Sequence, residues 1–521
     1  MLLPYLKEVQ NPSKKYTVAF KGINYGEGTQ DGEFAETYNL TTDSYPCITQ
    51  RGARIKAGEY EEPTSLHAKG ELLVIDGTKV LYGEKEVGTV TEGKKQIATI
   101  GKYIVIFPDK MYYDTEDGIF ADMQGVHTAA NFIIHHNKIL VPSGSNLRFR
   151  FQAGDIVSVE NSESIVPGRK VARIKEVASD GTYMLFDDST FWDADMEEHL
   201  GGIDENTITI ARAGKIPDLD FICESNYRLW GTHGNTIHSS EYSHPFNFES
   251  FEGLTGDSYY IEVGSEGEFT GCIPFSSHIC FFKEHTLHKI YGTKPSNFQL
   301  NTVNIPGVQS GSERSMQIIN EQLFYKGING IYVYTGGVPE LISQKFGNKR
   351  FADAVACSDS EKYYISMRQG DTWGLYVYDT QRNIWLREDN TQAVDMTSYN
   401  GKVYYINSEG ELYYIDRAKE EPNIEWSATF CTINETINER KVYSKFHLRL
   451  DLSDNSWIAV DMKTNDDFVW KQIYSTHNER AKTVSIPIMP TRCDSIDIRL
   501  RGKGKCVIKT FVRELMTGSD V

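Results

Sequence analysis

Short apolar runs separated by three to five polar or glycine residues recur along this chain. LLVIDGTKVLYG (from Leu72), YIVIFPDKMYYD (from Tyr103), CFFKEHTLHKIYG (from Cys280), LFYKGINGIYVYTGG (from Leu323), YYISMRQGDTWGLYVYD (from Tyr363) and VYYINSEGELYYID (from Val403) share one design. Each is a β-rich strand, a tight polar turn and a second β-rich strand, which predicts a hairpin. The last four begin 43, 40 and 40 residues apart. A period near 40 residues with about four strands per repeat is that of a β-propeller blade.

RLWGTHGNTIHSSEYSHPFNF (from Arg228) and ILVPSGSNLRFR (from Ile139) extend the series to eight hairpins. With one of the eight allowed as an insertion or half-blade, the expectation is an all-β propeller of about six to eight blades. Adjacent aromatics support stacked blades over a one-sided sheet. Tyr112-Tyr113, Tyr363-Tyr364, Tyr404-Tyr405 and Tyr413-Tyr414 each put a ring on both faces of one strand, because side chains alternate. A blade buries both faces, whereas an open sheet leaves one ring of each pair in water.

Two stretches break the period. GDIVSVENSESIVPGRKVARIKEVASDGTYMLFDDSTFW has five short strands in a different rhythm and reads as a small β-barrel of SH3 or OB type, inserted over 148–213. From 425 to 521, FHLRLDL, SWIAVDMKT, TVSIPIMP, DSIDIRLRG and CVIKTFVRE alternate polar and apolar residues, the pattern of a C-terminal β-sandwich of jelly-roll type. Residues 1–59 read as an N-terminal arm holding YTVAF, AETYNL and CITQRGARI, one strand of which closes the propeller ring against its last blade. The propeller itself is expected in two parts, 60–147 and 214–424.

Composition agrees with strands: Tyr and Phe total 55 and Pro only 16. The net charge of −18, from 54 basic and 72 acidic residues, excludes a chain that condenses nucleic acid through its overall charge. MLLPYLKEVQ lacks the basic head and apolar run of a secretion signal, and no stretch approaches the length of a membrane span. The eight cysteines, Cys47 to Cys506, are scattered without a CxxC, with Cys272 and Cys280 the nearest pair, so reduced thiols are expected. Asn39-Leu-Thr and Asn434-Glu-Thr match glycosylation sequons, which carry no expectation without an export signal.

Candidate chemistry is sparse. No GxxxxGK[ST], GxSxG, HExxH or EF-hand loop occurs, and GEGTQDG at 26–32 lacks the strand and helix of a phosphate cradle. His233, His238 and His244 fall within 21 residues, but zinc needs ligands converging on one point. A hairpin turning at His233-Gly234-Asn235 puts His233 in the turn and His238 on the return strand, with Gly234 and Asn235 supplying positive φ. That favours turn chemistry over a metal. His135-His136 point to opposite faces of a strand, and His285 and His288 flank a turn at Thr286-Leu287 and read as rim residues. Asp187, Asp188, Asp193 and Asp195 form an acidic cluster able to hold a divalent cation, though such clusters are more often solvated loops. SMRQGDTW (Ser366 to Trp373) resembles the sialidase Asp-box S-x-D-x-G-x-T-W, but Arg368 stands where the turn-organising Asp belongs. What remains of the match is a glycine turn, with Asp371, before Trp373. No catalytic, cofactor or metal residue is assigned.

RLWGTHGNTIHSSEYSHPFNFESFEGL with FTGCIPFSSHICFFKEHTLHKIYG resembles the central region of propeller-containing virion proteins of tailed bacteriophages, the tail hub, nozzle or stabilisation proteins. The opening FKGINYGEGTQDGEFAETYNLTTDSYPCITQRGAR and the ending PTRCDSIDIRLRGKGKCVIKTFVRELMTGSDV are similar to the ends of such proteins. The resemblance spans most of the chain and rests on diffuse patterns. It implies a non-enzymatic structural protein of the virion tail, made in the host cytoplasm, that forms a homo-oligomeric ring, a hexamer, beneath the portal or adaptor. Such a ring extends the conduit for double-stranded DNA and helps retain and release the genome without binding it specifically. An acidic lumen suits that role, since each Lys or Arg bound to phosphate strengthens retention. The alternatives are a carbohydrate-binding or carbohydrate-cleaving propeller, for which no paired carboxylates can be placed, and a propeller scaffold for cellular proteins.

Overall fold

The computed structural model describes residues 12–517 except 131, 136, 142–146, 148–149, 162–169, 188–198, 201–206, 438, 454, 466 and 478–482. The chain is all-β; among the described residues the helical elements are single 3-10 turns such as Pro295–Asn297 and Gln344–Phe346. It divides into two compact units, residues 61–313 and residues 1–60 with 314–521.

The unit 61–313 holds four antiparallel four-stranded sheets, spanning 63–89, 96–122, 221–262 and 269–304. In the second, Tyr103–Phe107 pairs with Met111–Asp114 in the register Ile104 to Tyr113 and Val105 to Tyr112. Alternation then sends the two faces to different cores. Ile104, Ile106 and Tyr113 pack on Leu73, Ile75 and Val80 of the first sheet. Val105, Phe107 and Tyr112 pack on Leu229 and Phe246, beside the third. The third and fourth sheets meet through Trp230, Ile237, Phe281 and Ile290. The doubled tyrosine at 112–113 is therefore buried on both faces, as its sequence predicts, at about 150–250 Å² for each ring.

Between the second and third sheets the chain builds an eight-stranded antiparallel sheet from His127–Ala130 to Thr207–Arg212. It encloses its own core, including Phe132, Ile139, Val157, Ile174, Met184, Phe186 and Ile210. This corrects two expectations. Among the described residues the inserted element has eight strands and begins at His127, where five strands from 148 were expected. Lys138–Leu140, read as part of a repeat hairpin, pairs with Ile133–His135 and Tyr183–Phe186 inside the insertion. Its period-two pattern is the same in either setting, so alternation alone could not say which sheet takes it.

Arg212 fixes the insertion to the sheets beside it. Its Nη2 lies 3.0 Å from Asp155 Oδ2, Nη1 donates to the Met123 carbonyl at 2.7 Å, and the guanidinium sits 4.5 Å from the Phe246 ring centroid.

The other unit holds three four-stranded sheets. Two span 317–341 and 352–389; the third combines Ala393–Tyr399, Lys402–Asn407 and Glu411–Glu420 with Gly52–Glu59 from near the N-terminus. The arm thus supplies an outer strand to the last repeat, in the register Tyr414 to Ile55 and Ile415 to Arg54. Gly52 is needed for the approach, because a Cβ there would lie 2.5 Å from the Asp416 carbonyl oxygen. Tyr363 and Tyr364 again divide between two cores, Tyr363 facing Phe324 and Tyr364 facing Val403 and Tyr405.

The rest of the unit is a two-sheet sandwich of seven and six strands around Phe34, Phe430, Phe446, Ile498 and Phe511. Its strands are not confined to 425–521. Ser13–Thr17, Leu40–Thr41 and Ile48–Gln50 join the seven-stranded sheet, and Gly22–Ile23 and Glu33–Tyr38 the six-stranded one. Residues 13–50, expected as an arm apart from the sandwich, are part of it. The reason is length: such short strands cannot bury an apolar face unless a long neighbour such as Cys506–Thr517 covers them.

Candidate functional site

A cleft of about 510 Å³ lies in the unit 1–60 with 314–521, at the ends of its second and third four-stranded sheets. Its floor is ionic. Arg54, with 7% of its side chain exposed, bonds through Nη1 to Asp389 and to Thr391 Oγ1 (3.0 Å) and through Nη2 to Glu388 Oε2 (2.8 Å). Arg51 pairs with Glu421 at 2.7 Å and donates through Nε to Asn39 Oδ1 at 2.8 Å. Burial alone would raise the Asp389 pKa, but the Arg54 charge and two hydrogen bonds involving Thr391 outweigh it and hold the carboxyl below its ordinary range. The floor charges are thereby spent on one another. Arg54 Nε is buried without an acceptor among the described residues.

The walls are aromatic and polar, with the exposed Glu409 carboxylate on the lining. Tyr405 and Tyr413 stack at 5.7 Å between centroids with an interplanar angle of 20°, and Trp373 stands half-buried on the cleft lining. Trp373 is placed by the turn after Gln369, where Gly370 takes φ 58°. Gln392, half-buried, follows the last strand of the second sheet. Neither the Trp373 indole N–H nor the Gln392 amide has a hydrogen-bond partner among the described residues, and both line the cleft. Thr37 Oγ1 donates to the Arg387 carbonyl at 2.9 Å and accepts from the Arg387 N–H at 3.0 Å, tying the sandwich to the sheet that carries Asp389.

The residues singled out in the sequence are dispersed. His233 ends the strand Arg228–His233, with Nδ1 3.6 Å from Asp220. His238 lies on the return strand Thr236–Ser239, and His244 lies beyond it with Nδ1 3.2 Å from Gln152 Nε2. Among the described residues no three His, Cys, Asp or Glu side chains are grouped as metal ligands. The turn takes its positive φ at Gly234 (54°) and not at Asn235.

The second histidine pair needs correction. The turn is Glu284-His285, and His288 lies within the strand Thr286–Tyr291, 1% exposed instead of at a rim. Ser265 Oγ is 2.7 Å from its Nε2 and Thr302 Oγ1 2.8 Å from its Nδ1. Burial, with the nearby Lys283 charge, pushes the His288 pKa down to about 4.

Arg368 pairs with Asp353 across its own sheet at 2.5 Å, so the residue replacing the Asp-box carboxylate serves the hairpin. Asp371 sits exposed in the turn. Asp187 is exposed, while Asp188, Asp193, Asp195 and His136, and the side chain of His135, lie outside the described residues. All eight cysteines are free thiols, seven of them buried. Asn39 is buried, with its amide donating to the Glu425 carbonyl at 2.8 Å, which closes that sequon. No helix among the described residues is long and apolar enough to cross a membrane.

Of the cleft residues, the sequence singles out Trp373 through the Asp-box resemblance and Tyr405 and Tyr413 as blade aromatics, and gives no signal for Arg54 or Gln392. Arg54 is about 335 residues from its partners, and no local signal links them.

No protein-family model matches the chain, and no curated protein does. Among solved structures, BamB from Moraxella catarrhalis is similar at 9% identity over 72% of this chain and 99% of its own, with a TM-score of 0.34. The computationally designed Ika8 protein is similar at 11% over 76% and 99%, with a TM-score of 0.26. An exo-β-1,3-galactanase from Phanerochaete chrysosporium is similar at 8% over 55% and 92%, with a TM-score of 0.21. Similarity at these scores carries no argument about what the chain does.

Proposed function

We propose that the chain is a non-enzymatic structural protein of a tailed-bacteriophage virion, a ring-forming hub or nozzle that extends the DNA conduit of the tail. In this reading the seven four-stranded sheets are the blades of one propeller, and the insertion and the sandwich are the modules that meet neighbouring subunits, the portal or adaptor, and other tail proteins. The resemblance of the sequence to such proteins supports it.

The observation that carries the reading furthest is how charge divides along the chain. Residues 61–313 have 37 acidic and 20 basic residues, and the other unit has 35 and 34. Nearly the whole surplus of −18 therefore belongs to one unit. A surface that must let a polyanion slide past benefits from concentrated negative charge, since cations there would bind phosphate by releasing counterions. The near-neutral unit is suited to protein contacts.

An electron-microscopy map of the particle tests this. Copies closed in a ring around the DNA axis, with residues 61–313 nearer the axis, are expected; copies projecting outward from the virion would overturn it.

A further inference from the structure

We infer that the cleft lined by Trp373, Gln392, Tyr405 and Tyr413 is a binding site for a neutral saccharide. The inference does not rest on the conduit reading and goes beyond it. The cleft's volume of about 510 Å³ is that of a small-molecule site. Its floor charges pair with one another, Arg54 with Asp389 and Glu388 and Arg51 with Glu421, so a charged ligand would meet a compensated surface and gain little. Besides the exposed Glu409 carboxylate, which can accept from a hydroxyl, what is left for a ligand is uncharged: the Trp373 indole N–H, the Gln392 amide, and the aromatic side chains of Trp373 and Tyr413.

That combination matches a pyranose. The apolar C–H face of the ring lies against an aromatic face, while its hydroxyls offer both donors and acceptors at the rim. The indole supplies a donor, and the Gln392 amide supplies donor and acceptor together, which a hydroxyl can answer in both senses. A wholly apolar ligand would leave these groups unpaired on burial. The stacking of Tyr405 on Tyr413, and the Arg54 guanidinium 5.7 Å from the Tyr405 centroid, hold the walls in place before any ligand arrives.

The test is isothermal titration of the full chain with maltohexaose, cellohexaose and chitohexaose. Saturable binding of at least one, with a Kd in the range of about 0.1–1 mM, is expected for a site of this size. W373A and Q392A should each weaken it by about tenfold or more, with thermal melting used to check that both variants remain folded. Y260S, at an exposed position in the other unit, should leave binding unchanged. Should W373A fail to fold, Q392A alone decides. The inference is overturned if none of the three sugars saturates, if binding survives both substitutions, or if inorganic phosphate binds in the cleft in place of sugar.

Discussion

Replacing Arg212 by Met tests whether one buried cation holds the inserted sheet to its neighbours. Met keeps much of the length of the side chain and removes the charge and every donor. Asp155, 2% exposed at its side chain, would then be a buried carboxylate facing no cation. The carbonyls of Met123 and Arg150 would lose their guanidinium donors, and the Phe246 face its cation. Breaking a buried pair from one side costs about 3–5 kcal/mol, more than the pair itself is worth, because an uncompensated charge remains. Asp155 still accepts from the Gln152 N–H at 3.0 Å, so the lower half of that range is the better figure.

Two-state melting is not assured for a chain of two compact units, so the assay is local. Amide hydrogen exchange in Ile156–Asn161 and Thr207–Arg212 reports opening of the insertion directly. R212M should speed exchange there by about a hundredfold or more, since each 1.4 kcal/mol is a factor of about ten. Adding D155N should recover at least about tenfold of the loss, because the stranded charge is gone. Exchange in R212M within about fivefold of the wild type would refute the reasoning, as would a double variant no better protected than the single.

Three further outcomes are expected. Burial alone would raise the pKa of Asp43, but the Lys362 charge and hydrogen bonds from Arg417 and Lys362 bring it down to about 2; its contribution is therefore complete above the unfolded value of about 4 and lost as pH falls toward 2, so D43N should melt lower than wild type at pH 7 and nearly equal to it near pH 2. His288, held neutral with a pKa of about 4, stays unprotonated while the unfolded ring takes up a proton near pH 6.5, so stability of its unit should fall as pH drops from about 6.5 to about 4, and H288Q should flatten that slope in melting curves over the same range. G52A should destabilise the last four-stranded sheet by about 1–3 kcal/mol, seen as faster exchange in Glu411–Glu420, because its Cβ would meet the Asp416 carbonyl and the Arg417 Cα; unchanged exchange would mean that the strand shifts freely.

Much of the fold was legible wherever pairing is local. Tyr103–Phe107 with Met111–Asp114, and Lys362–Gln369 with Thr372–Asp379, lie where alternation and a short turn, Pro108-Asp109-Lys110 in the first and Gly370-Asp371 in the second, place them. Doubled tyrosines reported two-sided burial because a strand has only two faces. Long-range pairing was not legible in the same way. Lys138–Leu140 has the same pattern as a repeat hairpin yet belongs to the insertion, and nothing near Ser13–Thr17 announces a partner at Val512 or Leu515. The cleft escaped for the same reason. Trp373 and Tyr405 were visible as residues, but Arg54 reaches the floor only because Gly52–Glu59 pairs with Glu411–Glu420. Convergence of that kind depends on the completed sheets and leaves no local trace.

The pairing of Ser13–Thr17 with Phe511–Leu515 also sets a clock. The two partners are about 500 residues apart, and at about 5–20 residues per second a ribosome needs roughly 25–100 seconds to make the second after the first. Through that interval Ser13–Thr17 has no edge to join, and for most of it Gly52–Glu59 waits for Glu411–Glu420, while residues 61–313 emerge and can fold as a unit. Such waiting strands are open to pairing with other nascent chains. Translation speed and chaperone supply, more than final stability, should therefore decide how much of this protein reaches its native state during overexpression.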